Sequence, residues 1–406
     1  MAPFGSYRTV PFLEAAQRQA DVVLASDGSS NLVSSGLPGL RLPFHDLAAC
    51  RERLREEMAR NGPFQAILGL DDKGAEIAGA LAPLLGLPGN PPLSLKIARR
   101  KDWARAALEK AQVRVPWHRV LALDEGLLAL SDLPYPLVLK PIALAGSRGV
   151  MRVDDEPGLR QALMRLRGIL THAEQGLGHL ALVEQFIAGF ELALEGLLVR
   201  GALQTLAIFD KPEPLNGPFF EETYYITPSR LEPTVAEAVR REVERGAAAY
   251  GLREGPIHAE CRVNAEGVWI IEIAARTIGG LCGRLLRFGT GYSLEDVVVA
   301  HALGAPLAPR APKDEAAGVL MIPIPALGIL KRVEGLTQAD RVPGIVEIVI
   351  DAREGQELVP LPEGASYLGF IFARGPDPES VYQALKTAHG HLRFVLAPVF
   401  RAVVSR

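Results

Sequence analysis

The sequence predicts a chain of several domains: a parallel α/β unit first, a larger central region mixing strands and helices, and a small α+β unit last. Three observations point there. The chain has 406 residues, more than a single hydrophobic core usually organises. Over the first 93 residues, short apolar runs alternate with amphipathic helical ones, the pattern of a parallel sheet with helices on its faces. From residue 180 consecutive strands take over, and after about residue 305 the pattern becomes proline-rich and strand-like.

The N-terminal unit, 1–93, reads as Rossmann-like. Residues 20–25 (ADVVLA) are a buried strand ending in the polar turn Ser26-Asp27-Gly28-Ser29-Ser30. An amphipathic helix covers 48–60, a second strand 64–70 (FQAILGL), and a helix 73–85, closed by Gly86 and Pro88. Polar residues just past strand ends are candidate ligand contacts in such sheets, and Asp72 is one. Gly5-Ser6-Tyr7-Arg8 has the form of a loop after a first strand, with a helix at 10–19 behind it. Only four residues precede that loop, so the first strand is expected to be clipped.

A proline- and glycine-rich stretch at 87–92 marks the boundary to a central unit, 94–305. One helix is expected over 94–111, strands at 135–140 and 149–153, a helix at 157–170, and strands at 180–187, 190–199 and 202–209. Residues 215–228 form a long polar-aromatic loop, which a compact domain seldom keeps without use; Asn216, Phe219, Glu221 and Glu222 are placed to close over a ligand. A helix at 233–250 and one capped by Ser293 follow. The last unit, 306–406, ends in a helix at 378–389.

Composition narrows the function classes. Apolar residues make up 48% and the net charge is −3, which fits a globular protein and gives no surface for nucleic acid. Cys50, Cys261 and Cys282 form no CxxC pair, which argues against a disulfide framework or a zinc site. The longest apolar stretches, such as 318–330, are broken by Pro323 and Pro325, and no signal peptide is visible, so no membrane partner and a cytoplasmic location are expected. Lysine is scarce, nine against 35 arginines, so a lysine at a chemically demanding position carries extra weight.

The sharpest chemical signal is 256–276 (PIHAECRVNAEGVWIIEIAAR). Two β-rich runs flank the turn Asn264-Ala265-Glu266-Gly267. A four-residue turn is expected to pair Val263 with Val268, and Glu260 is expected opposite Glu272, His258 opposite Ala274 and Arg262 opposite Ile270. One face then carries His258, Glu260, Arg262, Glu272 and Arg276, while Ala259, Cys261, Val263, Ile271, Ile273 and Ala275 form an apolar face. Opposed like charges destabilise a strand pair, and a hard cation such as Mg²⁺ between them removes that cost. A solvated face neutralised by Arg262 or Arg276 fits the same residues.

Lys140 ends an apolar strand and precedes Ala145-Gly146-Ser147-Arg148-Gly149-Val150, a loop that can aim N–H groups at phosphate oxygens or simply turn a hairpin. Lys101 lies in the helix Arg99-Arg100-Lys101-Asp102-Trp103. Residues 183–187 (VEQFI) form a strand whose exposed edge can read a base, and Glu191, seven residues past Glu184, can accept ribose hydroxyls.

In this order and spacing, these pieces resemble the ATP-grasp superfamily over roughly residues 94–304. Glu-Ile-Ala-Ala-Arg at the hairpin end, and a tail over 316–396 containing Gly364-Ala365-Ser366-Tyr367-Leu368-Gly369-Phe370, look most like the carboxylate–amine ligase branch, the L-amino acid ligases (bacilysin-synthetase-like). The resemblance implies an ATP-grasp domain of two subdomains, with a lid at about 112–190. It implies ATP and Mg²⁺ (Mn²⁺ as an alternative), a small-molecule carboxylate and an amine as substrates, and is compatible with a homodimer. Lys101 and Lys140 would contact phosphates under a loop containing Gly146, Ser147 and Gly149; Glu184 and Phe186 would flank adenine through backbone groups; and Glu191 would hold ribose. Glu260 and Glu272 would ligate the metal. Arg276 would stabilise the transferring phosphoryl group and, with the backbone near Gly279-Gly280, the oxyanion; Lys211 would reach the γ-phosphate, and His258 would orient a substrate carboxylate or ease proton loss. Ala274 departs from the family pattern, in which many members carry an asparagine ligand there. A biotin-carboxylase-like carboxylase and a non-catalytic ATP-binding protein are the competing classes.

Overall fold

The structure is a computed structural model that describes residues 1–28, 39–123, 132–171, 179–286, 291–305, 315–364 and 367–399. Ser29, Ser30, Ala365 and Ser366 of the motifs above lie outside these described residues. Among the described residues, no helix is long and apolar enough to cross a membrane.

The N-terminal unit comprises α1 (Thr9–Gln17), β1 (Leu24–Ser26), β2 (Gly39–Arg41), α2 (Leu47–Asn61) and α3 (Asp72–Leu81). β1 and β2 pair in parallel. The apolar run 64–70, expected as a strand, joins no named ladder. Its neighbour is the start of the chain: the Met1 ammonium donates to Leu68 O at 2.6 Å and Leu70 N–H donates to Met1 O at 3.1 Å. Ala2 N–H donates to Ala25 O at 2.9 Å, so residues 1–2 fill the lane between β1 and 64–70. Beyond Met1 that lane widens into a cleft lined by residues of 19–25 and 61–68, which leaves the run too few backbone partners for a strand.

The expected helix over 94–111 is two helices, α4 (Pro92–Arg99) and α5 (Lys101–Lys110). Arg100 between them is extended (φ −100°, ψ 106°), and the Lys101 N–H donates to Ile142 O at 3.0 Å instead of continuing α4. The lid is an antiparallel sheet of β3 (His118–Ala122), β4 (Leu137–Pro141), β5 (Met151–Val153) and β6 (Leu180–Gln185) in the order β3-β6-β4-β5, covered by α6 (Glu156–Thr171).

The main sheet contains β7 (Phe190–Val199), β8 (Ala202–Asp210), β9 (Tyr224–Thr227), β10 (Gly255–Asn264) and β11 (Gly267–Ala274), with α7 (Pro233–Tyr250) packed behind the β10–β11 hairpin. Here β9 corrects the expected loop over 215–228: Tyr-Tyr-Ile-Thr is β-branched or aromatic throughout, all four residues are buried, and they find a ladder in a distant segment. That segment is β12 (Ala316–Ile322). After α8 (Leu294–Ala302), whose cap Ser293 forms a capping box with Asp296, come β12, β13 (Gly328–Glu334), α9 (Leu336–Asp340), β14 (Ile345–Ile350), β15 (Glu357–Leu358), β16 (Gly369–Gly375), α10 (Pro378–His391) and β17 (Arg393–Ala397). Among the described residues the sheet runs β11-β10-β7-β8-β9-β12-β16-β14, so the last unit extends the central one.

The hairpin register matches at Val263–Val268, Glu260–Glu272 and His258–Ala274, but Arg262 faces Trp269, not Ile270. A bulge next to Glu260 makes Ile271 the extra residue. Beyond it the period-2 alternation slips, so Ile271 leaves the apolar face assigned to it while Ile270 and Ile273 stay in the core.

At Gly246 on α7 the side chains of this hairpin press against the helix backbone. A Cβ there would sit 2.6 Å from Ile270 Cδ1 and 2.7 Å from Ile273 Cδ1. Gly246→Leu is expected to overpack the contact and destabilise the protein by about 1–3 kcal/mol, read as a lowered urea midpoint.

Candidate active site

Lid and main sheet face each other across a cleft of about 720 Å³. Its walls include Lys101, Lys140, Gly146, Ser147, Glu184, Phe186, Glu191, Glu260 and Glu272. Segments far apart in the sequence therefore converge on one site.

At the lid end, Glu184 on β6 is 2% exposed and sits between two cations, 2.5 Å from Lys140 Nζ on β4 and 2.5 Å from Arg105 Nε on α5. Burial alone would raise its pKa, but Arg105 and then Lys140 outweigh burial and bring it down to about 2. Lys140 shares this one carboxylate with Arg105; burial, with Arg105 and Lys101 nearby, leaves its own pKa lowered. Arg105 Nη2 donates to Ile271 O at 2.7 Å, at the residue the bulge frees. Lys101, the first residue of α5, donates to Leu144 O at 2.9 Å and stands 3.5 Å from Glu272 Oε2.

At the other end, Lys211 is 3% exposed behind the cleft. Its ammonium lies 2.9 Å from Glu191, 2.6 Å from Glu222 and 3.8 Å from Glu260. Burial opposes the charge, yet the three carboxylates raise the lysine pKa well above its ordinary value. The Glu222 carboxyl is pushed up to about 7 by burial and then by the Glu260 charge. Glu260 is held well below the ordinary range because Lys211 and His258 overcome its burial. Oxygens of Glu191, Glu222 and Glu260 lie within 4.8 Å of one another, an all-oxygen donor set that suits a hard divalent cation. Glu272, opposite Glu260 in the ladder, offers a further carboxylate on the same cleft.

The hairpin's arginines do not neutralise the glutamate pair. Arg262 turns to Glu191 at 2.7 Å and to the carbonyls of Ile187 and Leu215. Arg276 pairs with Asp72 at 3.0 Å, bringing the N-terminal unit to the site. Beside it, Arg8 donates to Thr277 Oγ1, and the Gly280 N–H donates to the Tyr7 hydroxyl at 2.9 Å, so this expected oxyanion donor already has an acceptor. His258 lies behind Glu260, with Nδ1 3.1 Å from Glu195 and Nε2 3.6 Å from Glu260. Its position gives it influence on the cleft through Glu260.

Two further expectations change. The strand edge at 183–187 is not exposed at Glu184, which is paired on both sides by His118 and Val138, and Phe186 N–H donates to Pro136 O. The Gly149 N–H donates to Pro362 O, so this glycine serves the turn (φ 75°), whereas Gly146 and Ser147 line the cleft. Three participants were not singled out from the sequence. Arg105 is four residues from Lys101, on the same helix face. Glu195 shares a strand face with Glu191 in an otherwise apolar run, the one visible sign of its role. Tyr225, whose hydroxyl donates to Glu222 at 2.7 Å, was hidden in the supposed loop.

A family model described as an ATP-grasp domain matches residues 133–284, and one described as L-amino acid ligase C-terminal domain 2 matches residues 320–397. The chain carries an ATP-grasp domain. The solved L-amino acid ligase from Bacillus licheniformis superposes with a TM-score of 0.78 at 25% identity, covering 98% of each chain. Carnosine synthase 1 of Mus musculus is 28% identical over 274 residues, 62% of this chain and 33% of its own length. Alanine–anticapsin ligase of Bacillus subtilis (strain 168) is 28% identical over 214 residues, 48% of this chain and 44% of its own. The chain spans 31% to 64% of the length of the first curated relatives it matches.

The buried Glu184 pair gives this ATP-grasp protein a defined acid response. Its carboxyl falls from 4.5 unfolded to about 2 folded, so it contributes stability above pH 4.5 that is lost as the pH drops towards 2. In Glu184→Gln this share, about 3 kcal/mol, is expected to vanish from that window; acid unfolding of both proteins followed by circular dichroism measures it.

Proposed function

We propose that the protein is an ATP- and Mg²⁺-dependent ligase that phosphorylates the carboxyl group of an amino acid and couples it to an amine, releasing ADP and phosphate. The observation that carries this reading is the convergence of Lys101, Lys140 and the opposed Glu260–Glu272 pair on one cleft, with Lys211 buried beneath three carboxylates. The relatives whose names describe amino-acid coupling support the choice among ATP-grasp chemistries.

In this reading Phe186 walls the base end of the cleft and Glu191 faces the ribose. Lys101 and Lys140 meet the phosphates beneath Gly146 and Ser147. Glu260 and Glu272, with Glu222 adding a third carboxylate where Ala274 offers none, hold the divalent cation. The bound cation would neutralise phosphate charge and polarise the phosphoryl group for in-line attack by the substrate carboxylate. Lys211 balances the carboxylate cluster and is the lysine that would meet the γ-phosphate. Arg276, oriented by Asp72, supplies positive charge to the acyl-phosphate and to the oxyanion that forms when the amine attacks.

The test is ADP release with Mg²⁺-ATP over a matrix of amino acids and amines. Turnover is expected only when an acid and an amine are both present, and Glu272→Gln is expected to lower it about 100-fold. Dependence on bicarbonate alone would reassign the protein to carboxylation. ATP binding without turnover for any pair would make it a non-catalytic binder.

A further inference from the structure

The C-terminal unit reaches over to the lid and meets it at the glycine-rich loop. Its turn at 359–364 donates no catalytic group, yet it is tied to the lid by four hydrogen bonds, two to this loop and two to the lid helix. The Gly149 N–H donates to Pro362 O at 2.8 Å, and Arg148 Nε donates to Glu363 O at 2.9 Å. Arg165, on the lid helix α6, grips the Glu363 carboxylate with both arms, Nε to Oε1 at 2.5 Å and Nη2 to Oε2 at 2.8 Å. The Arg165 guanidinium also lies over the Phe219 ring at 5.0 Å, and Phe219 bridges to Met151 just past the loop.

The loop needs such a hold. Gly146 (φ 66°), Ser147 (φ 54°) and Gly149 (φ 75°) all have left-handed backbones, which a free glycine-rich segment visits as one of many states. Ordering it only when a ligand arrives would subtract that entropy from the ligand's affinity. The turn that supplies the hold is itself fixed. A Cβ at Gly364 would sit 1.8 Å from Val359 O, and the Gly364 N–H donates to Pro360 O at 2.9 Å. The ion pair is geometrically specific because it is bidentate, and half-exposed, so its strength is moderate.

We propose that Glu363 and Arg165 are positioning residues: through them the C-terminal unit pre-forms the glycine-rich loop for the phosphate tail of the nucleotide. The proposal rests on the nucleotide reading of the cleft. The C-terminal unit thereby acts on nucleotide affinity while remaining outside the cleft.

The experiment compares the wild type with Glu363→Arg, Arg165→Glu and the double charge swap, all as full chains. Amide hydrogen exchange of 145–150 is measured without nucleotide, and affinities for ATP and for adenosine by calorimetry. Each single reversal is expected to speed loop exchange and to weaken ATP binding roughly three- to tenfold while leaving adenosine affinity unchanged. The swap is expected to recover most of both. Single reversals that leave exchange and ATP affinity at wild-type values overturn the proposal, as does a folded double swap that recovers neither, or an equal loss for ATP and adenosine. If the wild type binds no nucleotide, the reading of the cleft fails, and the exchange comparison alone still decides whether the latch orders the loop.

Discussion

Glu184 joins parts of the molecule that have no covalent reason to stay together. It belongs to the central strand of the lid; Lys140 comes from the neighbouring lid strand; and Arg105 comes from a helix packed on the main sheet. Because Arg105 also grips the Ile271 carbonyl, the same few atoms tie the lid to the hairpin carrying Glu260 and Glu272. A buried carboxylate without partners would be driven to protonate, so folding admits Glu184 only when both cations are in place. The relative position of the cleft walls follows from that condition.

Charge balance organises the rest of the site in the same way. Lys101 stands by Glu272, Lys211 by Glu191, Glu222 and Glu260, and Arg276 by Asp72. Each lysine assigned to phosphates thus has a carboxylate of the chain to hold it before a nucleotide arrives. An incoming polyanion would arrive with part of its charge neutralised by the divalent cation, and the lysines would exchange carboxylate partners for it instead of the full charge being added to a dry interior.

Much of this was legible in the sequence where local rules suffice. The turn and the pairing of Val263 with Val268 were readable, as was the long helix Pro233–Tyr250 from its periodicity and terminal residues, whereas Glu260 meets Glu272 only through the bulge at Ile271. What escaped depends on distant partners. Arg99-Arg100-Lys101-Asp102 contains no glycine or proline, so nothing local announces that Lys101 will give its N–H to Ile142. Tyr224–Thr227 became a strand only because β12, about 90 residues later, lies alongside. The bulge that turned Ile271 towards the cleft serves Arg105, a contact across 166 residues that spacing cannot anticipate.

The ladder between β9 and β12 has an evolutionary side. Family models divide the chain into two modules, yet the hydrogen bonds run from one straight into the other. The strand on the near side of that seam carries Tyr225, whose hydroxyl holds Glu222. A chimera exchanging the C-terminal module for that of a relative would therefore re-seat a wall of the reaction chamber. Cutting the module away would strip a fully buried strand to a bare apolar edge, an invitation to self-association. The two modules are then expected to be inherited as one unit.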